Sequence, residues 1–311
     1  MFTTRPAVRR RALVAPGTAV TLALVLVACG SSGESSSMPG MDHGATAATS
    51  PAATGSPSKD SPSKGHVPGM DHMAGGDGLA SAEDGYRLGS PNATLAAGER
   101  TAYRFTVTGP DAKPVTAFAL DQTKRMHFYA IRTDLTGFQH LHPTMAADGT
   151  WTADLSALAP GSWRMFASFT PDGGGKGTAF VLSRAVTVPG TEKRTPLPAA
   201  AARARVDGYT VTVQGEPMAG ISHPLTVTVT KDGRPVTTLQ PYLDTYAHLT
   251  AFHEGDTAFA HLHPTTRVDG DHGGPRLAFD AELPTAGNWR LFLQFRAGGE
   301  LHTAALTLKV G

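Results

Sequence analysis

The chain has 311 residues, with 27 Lys plus Arg against 26 Asp plus Glu, a net charge of +1 and 17% charged residues. That balance offers no basic surplus for nucleic acid and no acidic tail, and the length accommodates two domains of ordinary size. Cys29 is the only cysteine, so no disulfide can form within the chain.

Residues 1–29 read as a targeting segment rather than fold. Arg5, Arg9, Arg10 and Arg11 form a positive n-region, and Thr18 to Val27 is apolar but too short to span a bilayer. The segment ends in Leu26-Val27-Ala28-Cys29-Gly30, which resembles a bacterial lipobox. The resemblance implies that Cys29 is lipidated and becomes the mature N-terminus. Several acyl chains on one residue would anchor the protein stably to the outer face of a membrane, where one chain alone is marginal. The expected localisation is therefore extracytoplasmic and lipid-anchored.

Residues 30–80 are rich in Ser, Gly, Ala and Pro and lack the bulky apolar side chains a core requires, which predicts a disordered tether. Four of the nine methionines nevertheless fall here. They lie in Met38-Pro-Gly-Met41-Asp42-His43 and in His66-Val-Pro-Gly-Met70-Asp71-His72-Met73. Thioethers are soft ligands suited to Cu(I), and imidazole serves either copper state. The repeated Pro-Gly-Met-Asp-His resembles the Met/His-rich segments of bacterial copper-resistance proteins and multicopper oxidases. The bland alternative is a low-complexity linker whose methionines bind nothing.

From residue 81 the texture changes to short alternating runs separated by Gly, Pro, Asn and Asp, with no long 3.6-residue period. Tyr103 to Thr108, Val115 to Leu120, Trp163 to Phe169 and Ala179 to Val188 read as strands. A second series follows in Tyr209 to Val213, Leu225 to Thr230, Trp289 to Phe295 and His302 to Val310. The parallel extends to Pro-Gly-Ser-Trp163-Arg164 beside Ala-Gly-Asn-Trp289-Arg290, which marks an internal duplication. The expected architecture is all-β, with two tandem immunoglobulin-like sandwiches at 81–190 and 203–311 joined by a Pro/Ala-rich linker at 191–202. On the strands beginning at Trp163 and Trp289, alternation assigns Trp163, Met165, Ala167 and Phe169 to the core. Arg164 and Phe166 fall on the other face, as do Arg290 and Phe292.

The duplication carries a histidine pattern. His127, His140, His142 and Pro143 form H-x12-H-x-H-P, which recurs 121 positions later as His248, His261, His263 and Pro264. Each copy is an apolar run, a polar break and a second apolar run, a β-hairpin pattern. Folding about Asp134-Leu135 sets His127 opposite His142 and Ile131 opposite Phe138. Folding about Gly255-Asp256 sets His248 opposite His263 and Phe252 opposite Phe259. His140 and His261, two residues away on the same strand, share those faces. Cross-strand neighbours sit about 5 Å apart at Cβ, which predicts one three-histidine metal site per hairpin. Met126 and Met145 are added thioether candidates near the first site. The competing reading makes these histidines polar residues at the edge of an apolar face. His223, His253, His272 and His302 lack counterparts in the first copy and read as surface polar residues.

No G-x-S-x-G, P-loop, dinucleotide fingerprint or H-E-x-x-H is present. Blue-copper electron transfer needs a thiolate, and Cys29 is assigned to lipid. The repeat with Tyr242-Leu-Asp, His248-Leu-Thr-Ala-Phe, His261-Leu-His-Pro and Asn288-Trp-Arg-Leu-Phe-Leu-Gln-Phe resembles uncharacterised secreted or lipid-anchored bacterial proteins, often actinobacterial. That resemblance implies a β-sandwich and fixes no activity. The leading functional expectation is metal binding by an extracytoplasmic lipoprotein, with copper ahead of zinc, for storage, delivery or resistance. Its partners would be the membrane and a copper-handling envelope protein. The alternatives are an interaction module without metal, and an enzyme at an open three-histidine centre.

Overall fold

The computed structural model describes residues 76–172 and 177–311. Cys29 and the Met/His segment with Met38, Met41, His43, His66, Met70, His72 and Met73 lie outside the described residues.

The described chain is built from strands. The first repeat runs through β1 (Ala82–Glu83), β2 (Tyr86–Gly89), β3 (Thr101–Thr108), β4 (His127–Arg132) and β5 (Gln139–Leu141). It continues with β6 (Thr144–Met145), β7 (Thr150–Leu155), β8 (Gly161–Phe169) and β9 (Phe180–Val188). The second repeat contains β10 (Arg203–Val206), β11 (Tyr209–Gln214), β12 (Ser222–Lys231), β13 (Arg234–Pro235) and β14 (Ala247–His253). It ends with β15 (Phe259–Pro264), β16 (Arg276–Glu282), β17 (Gly287–Ala297) and β18 (Glu300–Val310).

In the first repeat one sheet has the order β1-β2-β3-β7-β6 and the other β5-β4-β8-β9. The second repeat has the same plan, β10-β11-β12-β16 and β15-β14-β17-β18, except that β15 pairs with both β14 and β16 and joins the two halves. Each repeat is therefore an immunoglobulin-like sandwich, and the chain is an all-β tandem of two. Period-two alternation supplies each core. Tyr103, Phe105, Phe128, Trp151 and Trp163 fill the first, with Phe105 stacked on Phe128 at 5.2 Å. Val211, Leu225, Val227, Phe279, Trp289 and Phe295 fill the second. The indole N–H of Trp163 donates to the Ala159 carbonyl at 2.9 Å, and that of Trp289 to the Thr285 carbonyl at 2.8 Å, so the duplication reaches this level of detail.

A third apolar cluster belongs to neither sandwich alone. Tyr129, Ile131, Leu135, Phe166 and Val181 of the first repeat meet Phe252, Phe259 and Phe292 of the second. Phe138 stacks on Phe292 with ring centroids 4.2 Å apart, and Phe166 packs on Phe259 at 5.7 Å. The sheet faces turned away from the two cores thus pack on each other. The segment preceding β1 ties the same contact. Phe259 N–H donates to the Asp77 carbonyl, Ser183 N–H to the Ala80 carbonyl, and the Arg164 guanidinium to the Leu79 carbonyl. Gly78 lies at φ +69°, where a Cβ would stand 2.9 Å from Val181 and 3.0 Å from Phe166, so only glycine fits this passage.

The linker is held as well. Arg132 donates to both Asp134 carboxylate oxygens, at 2.8 and 2.5 Å, and to the Lys193 carbonyl at 3.1 Å. The Thr195 amide donates to Asp134 at 2.9 Å. Burial pushes the Asp134 carboxyl up, but the Arg132, Thr136 and Thr195 donors outweigh it and hold the group well below the usual carboxylate range.

Candidate metal centre between the repeats

The hairpin strands pair in the register read from the sequence. Tyr129 stands opposite His140 and Phe128 opposite Leu141 in the first, Thr250 opposite His261 and Phe252 opposite Phe259 in the second. His127, His140 and His142 therefore lie on one face of their hairpin, as do His248, His261 and His263 on theirs. Those faces are the two that pack together.

That docking changes the grouping. Ligand nitrogens of His127, His140 and His248 all lie within 4.8 Å of one another, so two ligands come from the first repeat and one from the second. The expectation of one separate site per hairpin is corrected here: each hairpin's histidine face meets the other hairpin instead of solvent, and the two sets merge. His142 flanks the centre, its ring 4.8 Å from that of His140 and 5.1 Å from that of His127. His261 lies 4.7 Å from His248, and His263 extends the row 5.0 Å beyond His261. Met126 is packed in the first sandwich core, because strand alternation turns it away from the histidine face. Met145 packs against that same core.

Each converging imidazole has its other nitrogen fixed by an oxygen. His127 Nε2 donates to the Asp121 backbone carbonyl at 3.0 Å, which leaves the Nδ1 lone pair facing inward. His140 Nδ1 donates to Gln294 Oε1 at 2.6 Å, and the Gln294 amide nitrogen in turn faces Thr303 Oγ1 at 3.4 Å. His248 Nδ1 donates to Gln122 Oε1 at 2.8 Å. His127 Nδ1 and His140 Nε2 stand 3.1 Å apart. With both outer nitrogens protonated, two lone pairs face each other across that gap. A cation between them removes the repulsion. Bonds of about 2 Å at a roughly tetrahedral angle place ligand nitrogens about 3.3 Å apart. Imidazoles that donate their second N–H to a carbonyl oxygen are the usual arrangement around a bound metal. The residues present therefore fit an imidazole-coordinated transition metal.

The surroundings keep the imidazoles neutral, as ligation requires. His127 is 2% exposed and His248 0%. Burial, then the neighbouring His127 and His142, holds His140 well below the usual imidazole range. Burial, then His140 and His261, does the same to His248, and burial lowers His127. Burial with His127 and Lys124 lowers His142 to about 4, and burial with His263 lowers His261 to about 3. Nε2 of His142 and of His261 are both buried without a hydrogen-bond partner. The Tyr129 hydroxyl, which burial raises well above its ordinary pKa, donates to His248 Nε2 at 3.1 Å, and its ring stacks on His140 at 4.4 Å.

Gln122, Gln294 and Tyr129 are the participants that sequence reasoning missed. A signal existed for Gln294, a polar residue on the same strand face as Arg290 and Phe292. At the positions corresponding to these three, the other repeat has Leu243, Ser168 and Thr250, so the centre is asymmetric although the fold is duplicated. Among the unpaired histidines, His302 is corrected from surface to interior: it is 5% exposed and bonds Asp207 at 2.8 Å.

The model of a domain of unknown function, DUF8832, matches residues 80–186 and again 204–311. The chain belongs to the DUF8832 family. No curated protein matches this chain. Among solved structures the chain is similar to FdeC, an Escherichia coli adhesin, at 17% identity and a TM-score of 0.26, over 74% of this chain and 65% of that one. It thus spans about 65% of the adhesin chain's length. It is similar to the fibronectin(III)-like modules of Clostridium thermocellum CbhA at 12% identity and a TM-score of 0.21, over 72% and 92% of the two chains. A Salmonella alpha-2-macroglobulin gives 13% identity and a TM-score of 0.26, over 79% of this chain and 16% of that one. Likenesses this weak carry no functional inference.

The lowered imidazoles fix the sign of a pH dependence in the metal-free protein. Above pH about 6.5 they are neutral in the folded and the unfolded chain alike. Below it the unfolded chain takes up protons that the buried cluster resists, so stability falls as pH drops toward 4. Urea unfolding at a series of pH values from 7.5 to 4 should show a falling midpoint, and His142→Gln should flatten the fall. A midpoint independent of pH would contradict the burial of neutral imidazoles.

Proposed function

We propose that this protein is an exported, lipid-anchored metal-binding protein of the cell envelope, and that its ion is copper. The observation that carries the proposal is the convergence of three imidazole nitrogens from His127, His140 and His248, each ring oriented by a carbonyl-type oxygen on its far side. Imidazole suits copper and zinc alike. Copper is favoured by the Met-Asp-His clusters at Met38–His43 and Met70–Met73, whose thioethers suit Cu(I). Storage, delivery or resistance would follow from holding the ion on the outer face of the membrane and passing it to a copper-handling partner. The protein would then work by binding, without turnover.

The competing reading, an interaction module without metal, draws on the Tyr129–His248 hydrogen bond, which satisfies one of the three inward nitrogens within the protein. Titration with Cu(I) under a competing chelator separates the two readings. His140→Ala and His248→Ala should each remove the same single tight equivalent, at least a hundredfold in affinity, although the two residues come from different repeats. Unchanged stoichiometry and affinity in both variants would return the histidines to a structural role.

The anchor rests on the sequence Leu26-Val27-Ala28-Cys29. Expressed in a bacterial host, the protein should partition with membranes, and Cys29→Ala should release it or block maturation. A variant that stays anchored and normally processed would refute the lipid attachment.

A further inference from the structure

Beside the buried centre, where the two repeats meet, a cavity of about 120 Å³ is lined by His261, His263, Asp280 and Glu282 of the second repeat and by Asp121 and Ser168 of the first. Strand register explains the company. His263 on β15 is the direct partner of Asp280 on β16. The β15–β16 ladder ends at that pair, and His261 and Glu282 border the same cavity from further along the two strands. The four side chains therefore line one cavity, and the directly paired His263 and Asp280 have Cβ atoms about 5 Å apart. The rings of His261 and His263 are 5.0 Å apart. His261 Nε2 is buried with no partner, while Asp280 is exposed and Glu282 half-buried. Among the described residues neither carboxylate pairs with a Lys or Arg. An orphaned buried nitrogen carries a desolvation cost that a ligand would relieve.

We infer that His261, His263, Asp280 and Glu282 form a second metal site, which takes a divalent transition-metal ion of the zinc type. Two imidazoles with two carboxylates make a harder, dianionic donor set than the neutral histidines next to it, so it discriminates against Cu(I) and favours a dication. The ligand atoms of this set are not gathered in the structure as it stands, so binding requires the side chains to turn into the cavity they line. The first repeat cannot duplicate this site. Ser156 stands at the position of Glu282, and its backbone N–H is bonded to the Gln139 side chain at 2.8 Å. Nothing in the inference requires the buried centre to hold an ion.

The test is Zn²⁺ titration of the full chain against a zinc-chelating dye, comparing wild type with Asp280→Asn/Glu282→Gln, with His263→Asn and with His140→Ala. The double carboxamide variant keeps size and hydrogen bonding on an exposed and a half-buried position. It should bind one Zn²⁺ fewer than wild type, or bind it at least tenfold more weakly, with an unchanged unfolding midpoint. His263→Asn should lose the same equivalent, and His140→Ala should retain it. Identical binding by wild type and the carboxamide variant overturns the site, as does loss of that equivalent in His140→Ala. If His140→Ala binds Zn²⁺ as wild type does while the carboxamide variant loses one ion, the outer site stands and Zn²⁺ does not occupy the buried centre, whose copper binding the Cu(I) titration tests separately.

Discussion

Everything at the centre depends on two sheet faces packing on each other. Phe138 against Phe292, Phe166 against Phe252 and Phe259, and Tyr129 against Phe259 form a cross-repeat aromatic cluster. Burial of such rings, together with favourable tilted and stacked contacts, contributes on the order of 0.5–1.5 kcal/mol per pair beyond area. The same packing removes His127 and His248 from water. Histidine in water titrates near neutrality, whereas these rings are held neutral by burial. The apolar contact therefore supplies the condition under which imidazole lone pairs stay available.

Duplication explains the parts list, and divergence explains the asymmetry. Both repeats bring three histidines to one hairpin face, but the residues that orient them are not repeated. Gln122 of the first repeat fixes a ring of the second, and Gln294 of the second fixes a ring of the first. Each repeat thus completes the other's ligands. Neither repeat contains the converging set by itself, so the interface and the candidate centre stand or fall together. Further along the same row of rings, the acidic pair Asp280 and Glu282 has arisen on one side only, where the first repeat has Asp154 and Ser156.

Local structure was legible in the sequence because it rests on period two. The hairpin register followed from the polar breaks, and Phe252 does oppose Phe259. Trp163, Met165, Ala167 and Phe169 do enter the core. The tandem sandwich followed from repeated short strands. What the sequence withheld was how the two sandwiches dock, since an apolar outer face does not name its partner. For that reason the six histidines were divided by hairpin, while the fold divides them by proximity across the interface. Met126 was misplaced for a simpler reason: its neighbour in sequence faces the opposite side of the strand. Gln122 sits beyond the strand that carries the histidines, in a turn whose path no alternation rule predicts.

The most direct measurement is anomalous X-ray diffraction at the copper edge from crystals of the copper-loaded protein. The account predicts a peak between β4, β5 and β14, about 2 Å from His127 Nδ1, His140 Nε2 and His248 Nε2. Loaded crystals with no peak there, and with Tyr129 still hydrogen-bonded to His248, would contradict it.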